Sequence, residues 1–590
     1  MFVETVAQRY IVVSITGNVM LENNGGKSRE LKLREILTPQ SVLNLSYKSQ
    51  VELFNDQEGK KYVIKVPGKG ALSALLKDRQ NSVMQLSTQY IAYIKGRIKS
   101  SGEISSRRYS DPATVTREVA VKKDALKEQF NSFRKKAVTD FEKFRKEAVR
   151  KYAEFLRQSW EQMDAKPARP KLIDKEVPPI RFDETIKNRI QESKPINIDI
   201  VKIDVPLPKP QPKPVKPIEE QEEEVREYVD FALYGTPLHV RFTGREHYQL
   251  PAEINNTIVA DTYIKLGSAD FNNTIHDCLE LRTRHQLSDW AYFQMLEAFS
   301  KECFANENEA TLLMAYIAQQ SGYQIRLGLS DNRLCVLYAS DHMIYGRCYY
   351  LIDGLDFYVY GKDVNNLRIC QAAYPKEQAL SLLITQPMII DQKRTEKRTL
   401  QSERYKEMNI ESDVNQNLID FYNSYPSSQI NNNFMTRWAM YANVPFESTV
   451  NASLLAELRQ QIDGLSKKEA VERLLNWVQT AFEYKYDDEI WGGDRAFFPE
   501  ETLYYPYCDC EDRSILLSRI IRDLLKLKVI LVYYPGHLAM AVNFGDEEVA
   551  GDYILLDNER FVICDPTYIG AGIGETMPNM DNQKATVILL

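Results

Sequence analysis

The chain lacks a run of apolar residues long enough to cross a bilayer, which excludes a transmembrane helix from the sequence reading. It lacks cysteine altogether before Cys278; the eight present fall between there and Cys564. That is not the dense, even framework of a small secreted disulfide protein. Charge of one sign is scarce: a formal net charge of −7 over 590 residues sets up no global field for nucleic acid, and nucleic-acid partners are set aside. Histidine is rare. Of six, His239, His247, His276 and His285 stand singly among Arg, Leu and Thr with no ligand spacing. Phosphate loops are missing too: Pro67-Gly68-Lys69-Gly70 has neither the spacing nor the Ser/Thr of one and reads as a plain turn. Residues 1–8 show no basic region and no adequate apolar stretch, so no signal peptide is recognisable. Val6-Ala7-Gln8 ahead of a first strand fits the remnant of a removed leader about as well, which leaves a periplasmic, extracellular or cytoplasmic location open.

What is there is organised around Tyr504-Tyr505-Pro506-Tyr507-Cys508-Asp509-Cys510-Glu511-Asp512-Arg513-Ser514-Ile515-Leu516-Leu517. A turn-like segment delivers a cysteine to an apolar run that continues through Ile520, Ile521, Leu524 and Leu525 at helical period. Asp509 stands at the N-cap, and Glu511 and Asp512 fall in the first turn. Cys510 then lies at a helix N-terminus, where free backbone N–H groups are expected to stabilise a thiolate and lower its pKa. Downstream, residues 529–542 read as strand, tight turn and strand, with His537 heading the second strand. Residues 553–567 read as a hairpin ending on Asp565. Helix with Cys, strand with His and strand with Asp supply nucleophile, general base and orienter.

At these residues the chain resembles the transglutaminase-like branch of the papain-like cysteine enzymes, over about residues 445–590. The matching pieces are Cys510-Glu511-Asp512, Gly536-His537 and Asp565-Pro566-Thr567. The resemblance implies a cysteine peptidase or hydrolase with Cys510 as nucleophile, His537 as base and Asp565 as third member, acting on a protein or peptide substrate without cofactor or metal. The chain departs from the family at Cys508, where a small residue is usual. It also departs in the His-to-Asp interval, which the turn Gly545–Asp552 lengthens. The triad suits hydrolysis or transfer to an amine alike, and hydrolysis is the expectation.

The length implies several cores, and an α+β multidomain chain is expected. Residues 1–78 read as a small β-barrel or sandwich, from runs such as Tyr10–Ile15 and Lys61–Val66. Residues 79–164 read as helical. A long charged helix over 118–163 carries a seam of Phe130, Phe133, Ala137, Phe141, Phe144, Ala148, Tyr152 and Phe155, an eleven-residue period. Residues 165–224 form a proline-rich linker, Pro206 to Pro217 interleaved with Lys and Gln. It is expected to be a semi-rigid polyproline II spacer of a kind that suits bacterial envelope proteins.

Residues 225–390 echo the C-terminal region as a weak internal duplication. Asn306 falls opposite Cys510, His342 opposite His537, and Gly361 and Lys362 opposite Asp565, so this copy is expected to be inert. Residues 391–444 connect, polar and irregular with some helix over 414–422. The catalytic domain, 445–590, opens with two amphipathic helices, the second with Ser466 and Glu469 as a capping box. The aromatic stretch 491–507 is expected to wall a substrate cleft.

Two other readings use the same residues. Cys508, Cys510, His537 and Cys564 are soft ligands that could hold zinc, although Cys-x-Cys bites tightly. Alternatively the chain is a non-catalytic multidomain binding or scaffold protein of the bacterial envelope with a relic triad.

Overall fold

The computed structural model of the protein describes residues 9–77 and 82–85 apart from 18, 23–27, 47–48, 56–57, 59 and 66–67, and residues 150–590 apart from 152, 172–175, 184–194, 197–201, 204–209, 216–217, 222–226, 244–247, 269–270, 375, 431 and 582–583. The chain divides into two units, residues 1–109 and 110–590.

In the first unit, alternating β-branched and polar residues form two antiparallel sheets. One has five strands, in the order Ile36–Leu37, Tyr10–Thr16, Gln50–Asn55, Lys60–Ile64, Ser82–Gln85; the other has four, in the order Ser28–Glu30, Val19–Glu22, Val42–Leu45, Gly68–Ala71. Val12, Leu21, Leu43, Leu53 and Ile64 share one core with residues of both sheets, the arrangement of a small sandwich. Gly68–Gly70, expected as part of a turn, instead pairs with Leu43–Leu45 as an edge strand.

The long helix expected over 118–163 lies largely outside the described residues. Its end differs from expectation. The helix stops at 158, where the Ser159 hydroxyl donates to the Phe155 carbonyl. Trp160–Asp164 is a strand, paired with Asn366–Cys370. At this end Ala153 and Leu156 are buried while Phe155 of the expected seam is exposed. The sheet edge captures the chain before the helical period can run on.

The second unit holds two helix-and-sheet modules of the same topology. In the middle module, α1 (Glu307–Gln320) leads into β1 (Ile325–Ser330), β2 (Arg333–Ala339), β3 (Tyr349–Ile352), β4 (Leu355–Val359) and β5 (Asn366–Cys370). In the C-terminal module, α2 (Lys467–Ala481) and α3 (Pro499–Tyr504) precede α4 (Cys510–Leu525), which leads into β6 (Lys528–Tyr534), β7 (His537–Asn543), β8 (Tyr553–Leu556), β9 (Glu559–Cys564) and β10 (Thr586–Leu589). The strand orders are β3-β4-β2-β1-β5 and β8-β9-β7-β6-β10, antiparallel throughout.

The registers agree as well. One constant shift along the chain carries Ser330↔Arg333 onto Tyr534↔His537, Leu337↔Val359 onto Ala541↔Ile563, and Ile352↔Leu355 onto Leu556↔Glu559. On this register Asn306 stands opposite Cys510 and Gly361 opposite Asp565, as the sequence suggests. The position of His537 is taken by Arg333, not by His342. The counterpart of β2 is β7, not the β6 that its composition suggests.

Each sheet is covered by its helix on one face. Ile515, Leu516, Leu517, Ile520 and Ile521 of α4 are fully buried, each contributing about 1.5–3 kcal/mol relative to an exposed side chain. A second apolar layer, Ile530, Val532, Ala539, Ala541 and Ile563, covers the other face of the C-terminal sheet.

The proline-rich segment is not a free spacer where it is described. Lys166 bridges Tyr349, Arg181 bridges Ile569, Pro195–Ile196 adds in parallel to β8, and Lys202–Ile203 adds in parallel to β10. Extended chain has backbone donors and acceptors without partners of its own, and open sheet edges supply them. Residues 391–444 are more regular than expected. They contain the hairpin Arg398–Gln401/Asn409–Ser412 and the helices Gln416–Asn423 and Thr436–Ala442.

Candidate active site

Cys510 is the first residue of α4, and the local sequence fixes it there. Asp509 is the N-cap. Its carboxylate accepts from the Asp512 N–H, the Asp512 side chain accepts in return from the Asp509 N–H, and Asp512 also holds the Phe497 N–H at 2.8 Å. One turn on, on the same face, the Ser514 hydroxyl donates to the Leu538 carbonyl at 2.8 Å, docking α4 on the start of β7. The Leu538 N–H faces the sulfur of Cys510.

His537 follows the two-residue turn Pro535-Gly536 and is the first residue of β7, as expected from the sequence. Asp565 follows the last residue of β9. Its Oδ2 lies 2.8 Å from His537 Nε2, and its Oδ1 accepts from the N–H groups of Thr567 (2.8 Å) and Tyr568 (3.2 Å). The other ring nitrogen, Nδ1, is buried without a hydrogen-bond partner. Cys510 and His537 line one cavity of about 30 Å³, room for about one or two waters. The three expected residues are therefore brought together. The thiol, however, donates to Glu511 Oε2 at 3.3 Å and not to the imidazole.

The electrostatics differ from expectation. Burial pushes the Cys510 thiol well above its ordinary pKa, and the carboxylates of Glu511, Asp509 and Glu176 push it further. A helix N-terminus contributes about 0.3–1 kcal/mol, up to about 2 in buried settings. Complete desolvation and three facing acids outweigh that. The acids strain one another too. Asp487 is pushed up to about 9 by burial and by Glu511, and Glu176 to about 7 for the same reasons. The counter-charge is Arg437, fully buried, paired with Asp494 and 3.8 Å from Glu511.

Support behind the site comes from two side chains that no motif announced. Arg513, fully buried on α4, donates to the carbonyls of Phe482 (2.7 Å), Gln479 (3.1 Å) and Pro566 (3.4 Å), and its Nε lies 3.4 Å from Cys508 Sγ. Gln479 on α2 donates to the carbonyls of Tyr568 (2.8 Å), Asp565 (2.9 Å) and Ala571 (3.2 Å), and accepts from the Gly570 N–H (3.1 Å). Together they fix the loop that carries Asp565.

The stretch 491–507, expected as a cleft wall, sends only Asp494 to the cavity. Its aromatics serve packing: Phe498 stacks on Tyr422 at 4.1 Å and on Tyr441 at 4.2 Å, and Trp491 meets Tyr505 at 4.8 Å. The cavity's aromatic walls are Phe434, Trp438 and Tyr533. Asn431 to Asn433 precede Phe434, and Thr436 and Arg437 precede Trp438, so neither ring stands in a clear apolar period, and nothing local flags Glu176.

The zinc set does not assemble. Cys508 faces Arg513 and the Glu483 carbonyl, and Cys564 faces the Val562 carbonyl. All eight cysteines are free thiols. Among the described residues, the ligand-bearing groups at this site combine Asp509, Cys510 and Glu511; Glu176, Asp487 and Asp509; and Asp487, Asp494 and Glu511. In the middle module, His342 Nε2 accepts the Leu382 N–H at 3.0 Å, a structural role, and Asn306 caps α1 through the N–H groups of Asn308 and Glu309.

Among the described residues no helix is long and apolar enough to cross a membrane. No protein-family model, no curated protein and no solved structure matches this chain.

Proposed function

We propose that the C-terminal module is a transglutaminase-like, cysteine-dependent acyl-transfer site acting on peptide or isopeptide amides. The observation that carries the reading is that His537 is bound to Asp565 through Nε2, has its Nδ1 unpartnered, and shares one cavity with Cys510. Asp565 fixes the tautomer in which Nε2 bears the proton, leaving the Nδ1 lone pair to take a proton from sulfur. The resting thiol is neutral, so proton transfer accompanies substrate entry and does not precede it. The sulfur attacks the amide carbonyl, and backbone N–H groups at the start of α4, including that of Cys510, hold the oxyanion. His537 returns the proton to the leaving amine, giving an acyl-enzyme. Water as acceptor completes hydrolysis, the favoured outcome; an amine completes transfer.

Acid-quenched mixtures of the full chain with glutamine-containing and isopeptide-containing peptides are expected to show an acyl adduct on Cys510 by mass spectrometry, lost in Cys510→Ala and His537→Ala. Absence of adduct and of amine release, under conditions where Cys510 can be alkylated, removes the reading. A binding or scaffold protein with a relic triad is favoured by one observation: a thiol only 2% exposed and bonded to Glu511. On that reading Cys510→Ala leaves partner binding unchanged and no adduct ever forms.

A further inference from the structure

The cavity holding Cys510 and His537 is narrow, and both residues are almost without solvent exposure, at 2% and 1%. One described piece of the proline-rich segment, residues 176–183, runs along this site. The Val177 N–H donates at 2.9 Å to the carbonyl of Gly536, the residue before the imidazole. Further along, the Phe182 N–H donates to the Ile569 carbonyl at 2.8 Å, and the Ile569 N–H donates back to the Ile180 carbonyl at 2.9 Å. This is the two-way bonding of a strand added to an edge, here to the loop that follows Asp565. Val177, Ile180 and Phe182 rest on Tyr568, Ala571 and Met577, with the Phe182 ring edge-on to Tyr568 at 5.4 Å. Pro178 and Pro179 between the anchors keep the chain extended and carry no N–H that would need a partner.

At the head of this strap, Glu176 enters the cavity wall beside Cys510 and His537, and the Tyr484 hydroxyl donates to its carboxylate at 3.3 Å. The strap thus spans from the backbone before the base to the loop after the orienter, and it places one acyl-bearing side chain at the thiol. A carboxylate in that position is inert, because a thiol cannot expel oxide from it. The side-chain amide of the same length would lose ammonia: sulfur bonds to the carbonyl carbon, the C–N bond breaks, and the thiol proton leaves on nitrogen through His537.

Resting on the acyl-transfer reading above, we propose that residues 176–183 are a resident pseudosubstrate. They fill the acyl-donor groove in cis, with Glu176 in the place of a reactive side chain. The groove then takes an extended peptide in trans, bonded through its backbone to Gly536 and Ile569, once the strap has left.

The test uses the full chain with the double variant Ile180→Ala/Phe182→Ala, whose positions lie outside the catalytic groups. The rate of Cys510 alkylation by iodoacetamide is followed by peptide mapping, with the partly exposed Cys348 as internal standard. Alkylation of Cys510 relative to Cys348 is expected to rise at least about tenfold, and a synthetic peptide of residues 176–183 added in trans is expected to restore protection. An unchanged ratio overturns the proposal. Should the double variant unfold, revealed by simultaneous labelling of the buried Cys278 and Cys564, Val177→Pro removes the donor to Gly536 together with the valine packing while leaving Ile180 and Phe182 in place, and is read the same way. Alkylation needs no turnover. A strap that releases without any amide hydrolysis appearing removes the acyl-transfer reading, and the pseudosubstrate role with it, while an unchanged ratio removes the strap as a cover over Cys510 whatever the site's activity.

Discussion

His537 Nε2 meets Asp565 Oδ2 at 2.8 Å while the other oxygen of the same carboxylate is held by two backbone N–H groups. The carboxylate cannot rotate away without losing all three contacts, so the ring is oriented by a group that is itself oriented. Asp565→Ala is expected to lower kcat by about 10²–10⁴-fold, the range for a displaced general base, with KM little changed. It should also cost about 1–3 kcal/mol of stability by leaving a buried imidazole N–H unsatisfied. Steady-state kinetics and denaturant titration check the two parts separately; a KM effect alone would place Asp565 in substrate binding.

The carboxylates around Cys510 make stability pH-dependent in a direction opposite to that of surface acids. Glu176 is raised from 4.5 to about 7 and Asp487 from 3.8 to about 9. Between the unfolded and folded pKa values the native state binds more protons than the unfolded chain, so unfolding free energy falls as pH rises. Their contribution is complete below about pH 4 and is lost progressively up to about pH 9. The melting temperature is expected to fall across that window, and Asp487→Asn, which needs no proton to stay neutral, is expected to flatten the fall. A melting temperature that rises from pH 5 to 9, or an Asp487→Asn profile that parallels the parent, contradicts this account of the cluster.

The elements that carry Cys510, His537 and Asp565 were legible because each is written in local chemistry. Asp509 and Asp512 cap a helix, Pro535-Gly536 turns a hairpin, and Asp565 closes another. What surrounds them was not legible. Arg437 comes from a segment that reads as irregular, Glu176 from one that reads as a spacer, and neither has a periodicity tying it to Cys510. The thiol is raised and not lowered in pKa for a related reason. A helix start with Asp509 and Glu511 beside the thiol can be read from sequence, but the complete burial of the sulfur and the approach of Glu176 cannot. In the middle module Val336-Leu337-Tyr338 of β2 resembles Leu531-Val532-Tyr533 of β6 in composition, although the counterpart of β2 is β7. The strand pairings, such as Ser330↔Arg333 against Tyr534↔His537 and Leu337↔Val359 against Ala541↔Ile563, fix the register.

Gln479 gives a way to loosen the Asp565 loop without touching the reacting groups. Its amide satisfies three carbonyls and one N–H between Asp565 and Ala571. Gln479→Leu keeps the volume and strands those groups in a buried site, with an expected cost of about 2–4 kcal/mol. If the loop positions Asp565, kcat falls with it and the fall is not rescued by substrate. Gln479→Glu, which retains an acceptor for Gly570 but loses the donors, is expected to behave like the leucine variant and not like the parent. Full activity in both variants, measured where the protein remains folded, shows that Asp565 is held well enough by Thr567 and Tyr568 alone.

The middle module offers the control that separates a structural histidine from the one proposed to react. His342 is 2% exposed and its Nε2 accepts the Leu382 N–H at 3.0 Å, far along the sheet from the position Arg333 occupies in place of a base. Asn306, opposite Cys510, spends its side-chain oxygen on two helix N–H groups. Neither Asn306 nor Arg333 supplies a thiol or a neutral base at these positions. His342→Ala is accordingly expected to lower stability by about 1–3 kcal/mol, because a buried N–H loses its acceptor, while leaving turnover per folded molecule unchanged. His537→Ala should do the reverse, abolishing turnover at a modest stability cost. Denaturation curves and active-site titration of the two variants side by side decide it. Loss of turnover in folded His342→Ala would mean that the middle module contributes to the reaction and that its resemblance to the C-terminal module extends beyond the fold.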